Sequence, residues 1–280
     1  MQDSTLTLDD GRTVAYVDLG DPDGRSVLFF HGAPSSRKAL VVFDDAFRNA
    51  GVRVVAPDRP GFGGSSPRPG RTLAGYADEV ARIADALGIE RFAAAGHSSG
   101  GPYAVVCTAL LPDRVTSAAV IAGTTDMGWA DAWDGYVDVE EDLMRQPDEV
   151  GAIAVATEKF GADGSGFLDA SGFELSAPDR AVLDDPTIGP AAFDDIIQAF
   201  AQGVAGYAQD VWIEGRPWTF DPGTIGVPVR VLQGEADSLM PMAHSRHTAE
   251  LIPGATLEVV AGHGHLSIAR DFPSVFAALP

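Results

Sequence analysis

Hydrophobic and polar positions follow two rhythms along this chain. Apolar runs bounded by Gly, Pro and Asp, "TVAYVDLG", "SVLFF", "VRVVAPD", "RFAAAG" and "VTSAAVIAG", predict strands. Between them lie stretches of helical period. "ALVVFDDAFRNAG" predicts a helix closed by Gly51. "YADEVARIADALG" places Val80, Ile83, Ala84 and Leu87 on one face before Gly88 ends it, and "GPYAVVCTALLP" predicts a further helix. Strand and helix in repeated alternation predict a mostly parallel sheet covered by helices on both faces. The small residues of "FAAAG" suit a central strand buried on both sides.

From about Gly123 to Pro222 the strand rhythm stops and helical patterning takes over. The clearest helix is expected from Ala192 to Ile213, where Phe193, Ile196, Ile197, Phe200, Val204, Tyr207 and Val211 form one stripe. After Pro222 the alternation resumes with "VPVRVLQG", "AHSRHTAELI", "ATLEVVAG" and "PSVFAAL". The expected organisation is an α/β core built from residues 1–122 and 223–280, interrupted by a helical cap at 123–222. The loops after "VRVLQG" and "LEVVAG" then share the carboxyl edge of the sheet with the turn after "FAAAG". Ligands of such sheets collect at that edge.

Charge sharpens this division. The net charge is −21, and segment 123–222 holds 21 acidic and 4 basic residues, so −17 of it sits in the insertion. This predicts an acidic outer surface there, with pairs such as Asp184-Asp185 and Asp194-Asp195 as solvated charge. Binding to nucleic acid or to anionic membrane is disfavoured, because both need basic surface. No apolar run approaches the ~20 residues of a membrane helix, and "MQDSTLTLDDGRTV" has no signal-peptide pattern. A cytoplasmic location is expected. Cys107, the single cysteine, lies in an apolar run and reads as a buried hydrophobe.

The chemistry centres on "FAAAGHSSGGPYAVV". Gly96-His97-Ser98-Ser99-Gly100 fits G-x-S-x-G between a predicted strand and a predicted helix, the context of a nucleophile elbow. A serine hydroxyl needs a base to take its proton. "VVAGHGHLSI" offers His263 and His265, and "VLQGEADSLMP" offers Asp237 as the acid that orients the base. The order Ser98, Asp237, His265 suits this architecture. Asp126, after "AAVIAG", is an alternative acid. His244 and His247 fall on a predicted helix and read as packing or solvated residues. No pattern of His, Cys or carboxylates suggests a metal site, and no cofactor is expected.

Taken together, "FFHGAP", "PDRPGFGGSSP", "GHSSGG", "GEADSLMP" and "GHGHLS" resemble the α/β-hydrolase fold superfamily over nearly the whole chain. The resemblance implies an eight-stranded, mostly parallel sheet with a helical cap. It places the base at His265, the last His of its motif, in preference to His263. It implies an oxyanion hole made by the backbone N–H groups of Ala33 and Ser99, with His31 shaping that loop and Asp58 and Arg59 in a structural role. Haloalkane dehalogenases and epoxide hydrolases carry aspartate where this chain has Ser98. What the resemblance implies is a serine hydrolase of small esters or lactones, with the acidic cap favouring neutral or cationic substrates. Amide hydrolysis of the proline-iminopeptidase kind, hydrolysis of carbon–carbon bonds, and ligand binding without turnover remain open at this point. Trp129, Trp133, Tyr136 and Phe160 stand as candidates for pocket lining or core.

Overall fold

A computed structural model describes residues 1–136, 138–170 and 172–280, with the side chains at 138 and 139 left undescribed. Eight strands form one sheet: β1 (Gln2–Thr7), β2 (Thr13–Gly20), β3 (Arg25–Phe30), β4 (Val52–Pro57), β5 (Phe92–His97), β6 (Val115–Ile121), β7 (Val229–Gly234) and β8 (Thr256–Val260). Their order across the sheet is β1-β2-β4-β3-β5-β6-β7-β8. β2 runs antiparallel to β1 and to β4, and every other pairing is parallel. The expected mostly parallel sheet is therefore present. β1 leaves no strand pattern in the sequence, because "QDSTLT" is largely exposed at the sheet edge and carries little apolar signal.

The central strand shows why small residues belong there. Along β5, Phe92 and Ala94 join the core on one face of the sheet, and Ala93 and Ala95 join the core on the other. Alternate residues of a strand point to opposite faces, so β5 is buried twice over. The first face is covered by helices α2 (Leu73–Ala86) and α3 (Gly101–Leu110). On the second face, Phe47 of helix α1 (Asp44–Asn49) stacks on Phe276 near the C-terminus, with ring centroids 5.5 Å apart. The predicted "ALVVFDDAFRNAG" helix is divided: Arg37–Phe43 is a 3-10 helix and only α1 is α-helical.

Between β6 and β7 lie α4 (Asp138–Met144), α5 (Glu149–Phe160), α6 (Phe167–Ala170), α7 (Ala177–Leu183), α8 (Ile188–Ala199) and α9 (Ala205–Glu214). Two last helices, α10 (Met242–Leu251) and α11 (Phe272–Ala277), follow β7 and β8. The single helix expected from Ala192 to Ile213 is in fact α8 and α9. They are separated at residues 200–204, where Gly203 has φ +90° and the Val204 N–H bonds to Ala162 O instead of continuing the helix. The stripe is broken accordingly: Phe193 and Ile197 are exposed, while Phe200, Tyr207 and Val211 are buried. The insertion has its own core around Leu143, Phe160, Phe167 and Tyr207. Phe160 and Tyr136 are buried in that core and Trp129 and Trp133 pack against it, so all four serve packing.

The insertion sits flush on the sheet's carboxyl edge. A Cβ at Gly206 would lie 2.3 Å from the Gly61 carbonyl oxygen, so α9 meets the loop after β4 backbone to backbone. The expected acidic outer surface is only partly present. Glu140, Asp179, Asp195, Asp210 and Glu214 are buried. Asp184 and Asp194 are solvated as expected, but Asp195 is turned inward.

Candidate active site

Ser98 follows β5 at the carboxyl edge and has φ +54°, left-handed backbone that a residue with a Cβ adopts only under constraint. The surrounding glycines supply that constraint. A Cβ at Gly96 would lie 2.0 Å from the Gly100 carbonyl oxygen, and one at Gly100 would lie 2.0 Å from that of Phe30. The chain folds back on itself too tightly for any side chain at these two positions. Ser98 is thus held at the tip of the turn, facing a cavity of 420 Å³ that Gly32, Ala33 and His265 also line. Ser99 follows, its side chain buried, in a single 3-10 turn that leads into α3.

The side chains of His265 and Asp237 meet. Asp237 Oδ2 lies 2.9 Å from His265 Nδ1. The same oxygen accepts from Gln233 Nε2 at 2.8 Å, while Oδ1 accepts the N–H groups of Leu239 and Met240. Burial alone would push the imidazole down, but the charge and hydrogen bond of Asp237 outweigh it and raise His265 above its ordinary value. Burial likewise works against the Asp237 carboxylate, and His265 with the two amides holds it below its ordinary value. Asp237 beside Nδ1 favours the ring proton on that nitrogen and leaves Nε2 as the unprotonated one.

The alternatives are placed elsewhere. His263 Nε2 lies 3.5 Å from Asp271 Oδ2. Asp126 accepts the N–H groups of Gly128 and Trp218, which makes it a turn residue. His244 Nε2 donates to Ala132 O at 2.7 Å and stacks on Tyr136, and His247 stacks on Trp129. Both fasten α10 to the segment after β6. His97 Nε2 donates to the carbonyl of His265 at 2.8 Å. Burial, then the neighbouring His265, pushes its pKa down to about 3, so it stays neutral.

The loop after β3 carries Ala33. His31 Nε2 accepts the Arg59 N–H at 3.1 Å, so its Nδ1 carries the proton and donates to Gly32 O at 2.7 Å. Arg59 also donates from Nη2 to Gly32 O at 3.0 Å and from Nη1 to His31 O. Arg59 is in turn ion-paired with Asp210 of α9 at 2.6 Å. Arg71 meets the other oxygen of Asp210 at 2.5 Å, and Tyr103 donates to it at 2.6 Å. Burial alone would push the Asp210 carboxyl up, but the two guanidinium groups hold it well below the ordinary carboxylate range.

Sequence reasoning missed the carboxylates that the insertion brings to this edge. Asp179 accepts the N–H groups of His265, Leu266 and Ser267, each at 2.9 Å. Asp195 accepts the Ser35 hydroxyl at 2.6 Å, the Ser36 N–H at 2.9 Å and the Ser36 hydroxyl at 2.6 Å. Glu140 lines the cavity and is held by the hydroxyls of Tyr136 at 3.1 Å and Tyr207 at 3.4 Å. No local pattern marks these residues, because their partners are remote in sequence. Among the described residues no cluster of His, Cys, Asp and Glu could hold a metal ion.

Comparison with known proteins agrees with this architecture. Residues 25–271 match the alpha/beta hydrolase fold family. The chain is a member of that family. As an alpha/beta hydrolase it is 31% identical over 92% of its length to the dihydrolipoyllysine-residue acetyltransferase component of the acetoin cleaving system of Cupriavidus necator, of which it spans 63%. It is 30% identical to the non-heme chloroperoxidase of Streptomyces lividans, with 94% of each chain covered. It is 28% identical to the bifunctional esterase/perhydrolase of Acinetobacter calcoaceticus, covering 93% of this chain and 92% of that one. A thermophilic esterase from Thermogutta terrifontis superposes with a TM-score of 0.72 at 23% identity, covering 99% of this hydrolase and 96% of the other chain.

Proposed function

We propose that this hydrolase cleaves small carboxylic esters, lactones included, through an acyl-enzyme on Ser98. The observation that carries the reading is the strained Ser98 facing one cavity with His265, itself paired to Asp237. His265 Nε2 takes the Ser98 proton as Oγ attacks the ester carbonyl, and the backbone N–H groups of Ala33 and Ser99 receive the oxyanion. His265 then gives its proton to the departing alkoxide. Water enters, loses a proton to the same nitrogen and attacks the acyl carbon; the imidazolium then returns that proton to Ser98 Oγ as the acid is released. Asp237 keeps the imidazole in the working tautomer and stabilises the imidazolium.

The cavity supports a substrate class. Its 420 Å³ lies within the roughly 300–1,000 Å³ of small-ligand sites. Its lining is mostly apolar and includes Phe43, Phe167, Leu183, Ile188, Phe193 and Met240. Glu140 and Asp195 are its buried acids, each pushed up by burial to about 7. Neutral esters fit such a wall and cationic ones are tolerated, while an added carboxylate meets like charge.

The test is turnover of short and medium p-nitrophenyl esters by the wild type and by Ser98→Ala, His265→Ala and His263→Ala. Losing the serine or the histidine is expected to cost on the order of 10⁶ in kcat, with His263→Ala retaining activity. A wild type inactive on every neutral ester and lactone tried overturns the proposal.

A further inference from the structure

We propose that three carboxylates of the helical insertion, Asp179, Asp195 and Asp210, are positioning residues that hold the loops carrying the reacting groups. The proposal rests on the serine-hydrolase reading above. Each of the three is buried and faces a loop of the sheet edge, from a different helix of the insertion.

Asp179 takes the base loop. Its oxygens accept three consecutive N–H groups, of His265, Leu266 and Ser267, together with the hydroxyls of Ser267 at 3.0 Å and Ser176 at 2.9 Å. The backbone of the base is therefore fixed from the insertion, while its ring is fixed from the sheet by Asp237. Gly264 makes room for this contact: a Cβ there would lie 2.3 Å from Asp179 Oδ2 and 2.2 Å from Ser176 Oγ. The glycine between the two histidines of "GHGH" is thus where the insertion docks.

Asp195 and Asp210 take the oxyanion loop from its two ends. Asp195 holds Ser35 and Ser36. Asp210 acts through Arg59, which grips the carbonyls of His31 and Gly32. Gly32 O and the Ala33 N–H belong to one peptide unit, and in a trans peptide they point in opposite directions. Holding Gly32 O with Arg59 and His31 turns the Ala33 N–H to the side away from Arg59. The donor is aimed by its own carbonyl.

The first step of the test is labelling with a fluorophosphonate probe. Labelled wild type and unlabelled Ser98→Ala establish the nucleophile. An unlabelled wild type overturns the serine reading and this proposal with it. In labelled protein, Asp179→Asn and Asp195→Asn are expected to lower kcat by about 10- to 100-fold, since a misplacement near 1 Å costs about 10²-fold. KM should stay within about threefold, and affinity for a trifluoromethyl ketone, which forms the oxyanion, should fall in step with kcat. Asp179→Asn should also shift the low-field proton resonance of the His265–Asp237 bond. If the Asn variants do not fold, Ser35→Ala and Ser267→Ala each remove one hydroxyl that a clamp carboxylate holds and should lower kcat by about three- to tenfold. Folded variants with wild-type kcat and analogue affinity, or with a change in KM alone, overturn the proposal.

Discussion

Removing the Asp210 side chain should unfold this protein at a lower temperature by a margin that the buried charges set. Asp210, Arg59 and Arg71 have side chains with 0% exposure. The guanidinium groups reach the carboxylate at 2.6 and 2.5 Å, and Tyr103 adds a bond at 2.6 Å. In Asp210→Ala two cations stay buried without their shared counter-charge. Breaking one buried pair costs about 3–5 kcal/mol, against a total stability of roughly 5–15 kcal/mol for a folded protein. At about 2.1 cal/mol/K per residue over 280 residues, that cost lowers Tm by about 5–8 °C. The assay is a thermal melt followed by circular dichroism, with the exposed Asp184→Ala as control. Glu214 provides an internal check. It is buried beside this network, where burial and then the Asp210 charge keep its carboxyl protonated well above the ordinary range. Once Asp210 is gone, Glu214 can ionise and partly replace it, so Glu214→Gln added to Asp210→Ala should cost more than the two single losses together. A Tm for Asp210→Ala within 2 °C of wild type would refute the reasoning, because it would mean the guanidinium groups find water or new partners freely.

Three further outcomes follow from the site. Gly96→Ala must push a Cβ to 2.0 Å from the Gly100 carbonyl oxygen, so it should yield misfolded or inactive protein, checked by soluble yield and fluorophosphonate labelling. The proposed mechanism needs neutral His265, whose folded value is raised above the usual imidazole range, so kcat/KM should fall as pH drops through that raised value. Asp237→Asn removes the charge that raises it and should move this acid limb to lower pH while lowering kcat, as a pH–rate profile would show.

The parts of this molecule written in short-range pattern were legible, and the parts written in long-range contact were not. β2 to β8, the elbow at Ser98 and the order Ser98, Asp237, His265 each leave a local mark: an apolar run, a glycine pair, a polar residue just past a strand. β1 leaves almost none, since an exposed edge strand needs few apolar residues. The stripe from Ala192 to Ile213 reads as one helix because a helical period persists across a turn, and the +90° φ of Gly203 marks the break. In the sequence Asp195 reads as solvated charge beside Asp194, and nothing in "SAPDR" marks Asp179. Their meaning comes from Ser35, Ser36 and the His265 loop, which no window along the chain contains.

That separation has a consequence for how the enzyme is made. The loop holding Ser35 leaves the ribosome 160 residues before the carboxylate that fastens it. Arg59 waits 151 residues for Asp210. Contacts between residues so far apart form late, because a long stretch of chain must close first. On the ribosome, the nascent first half of the chain therefore carries its serine in a pocket whose walls have yet to be synthesised.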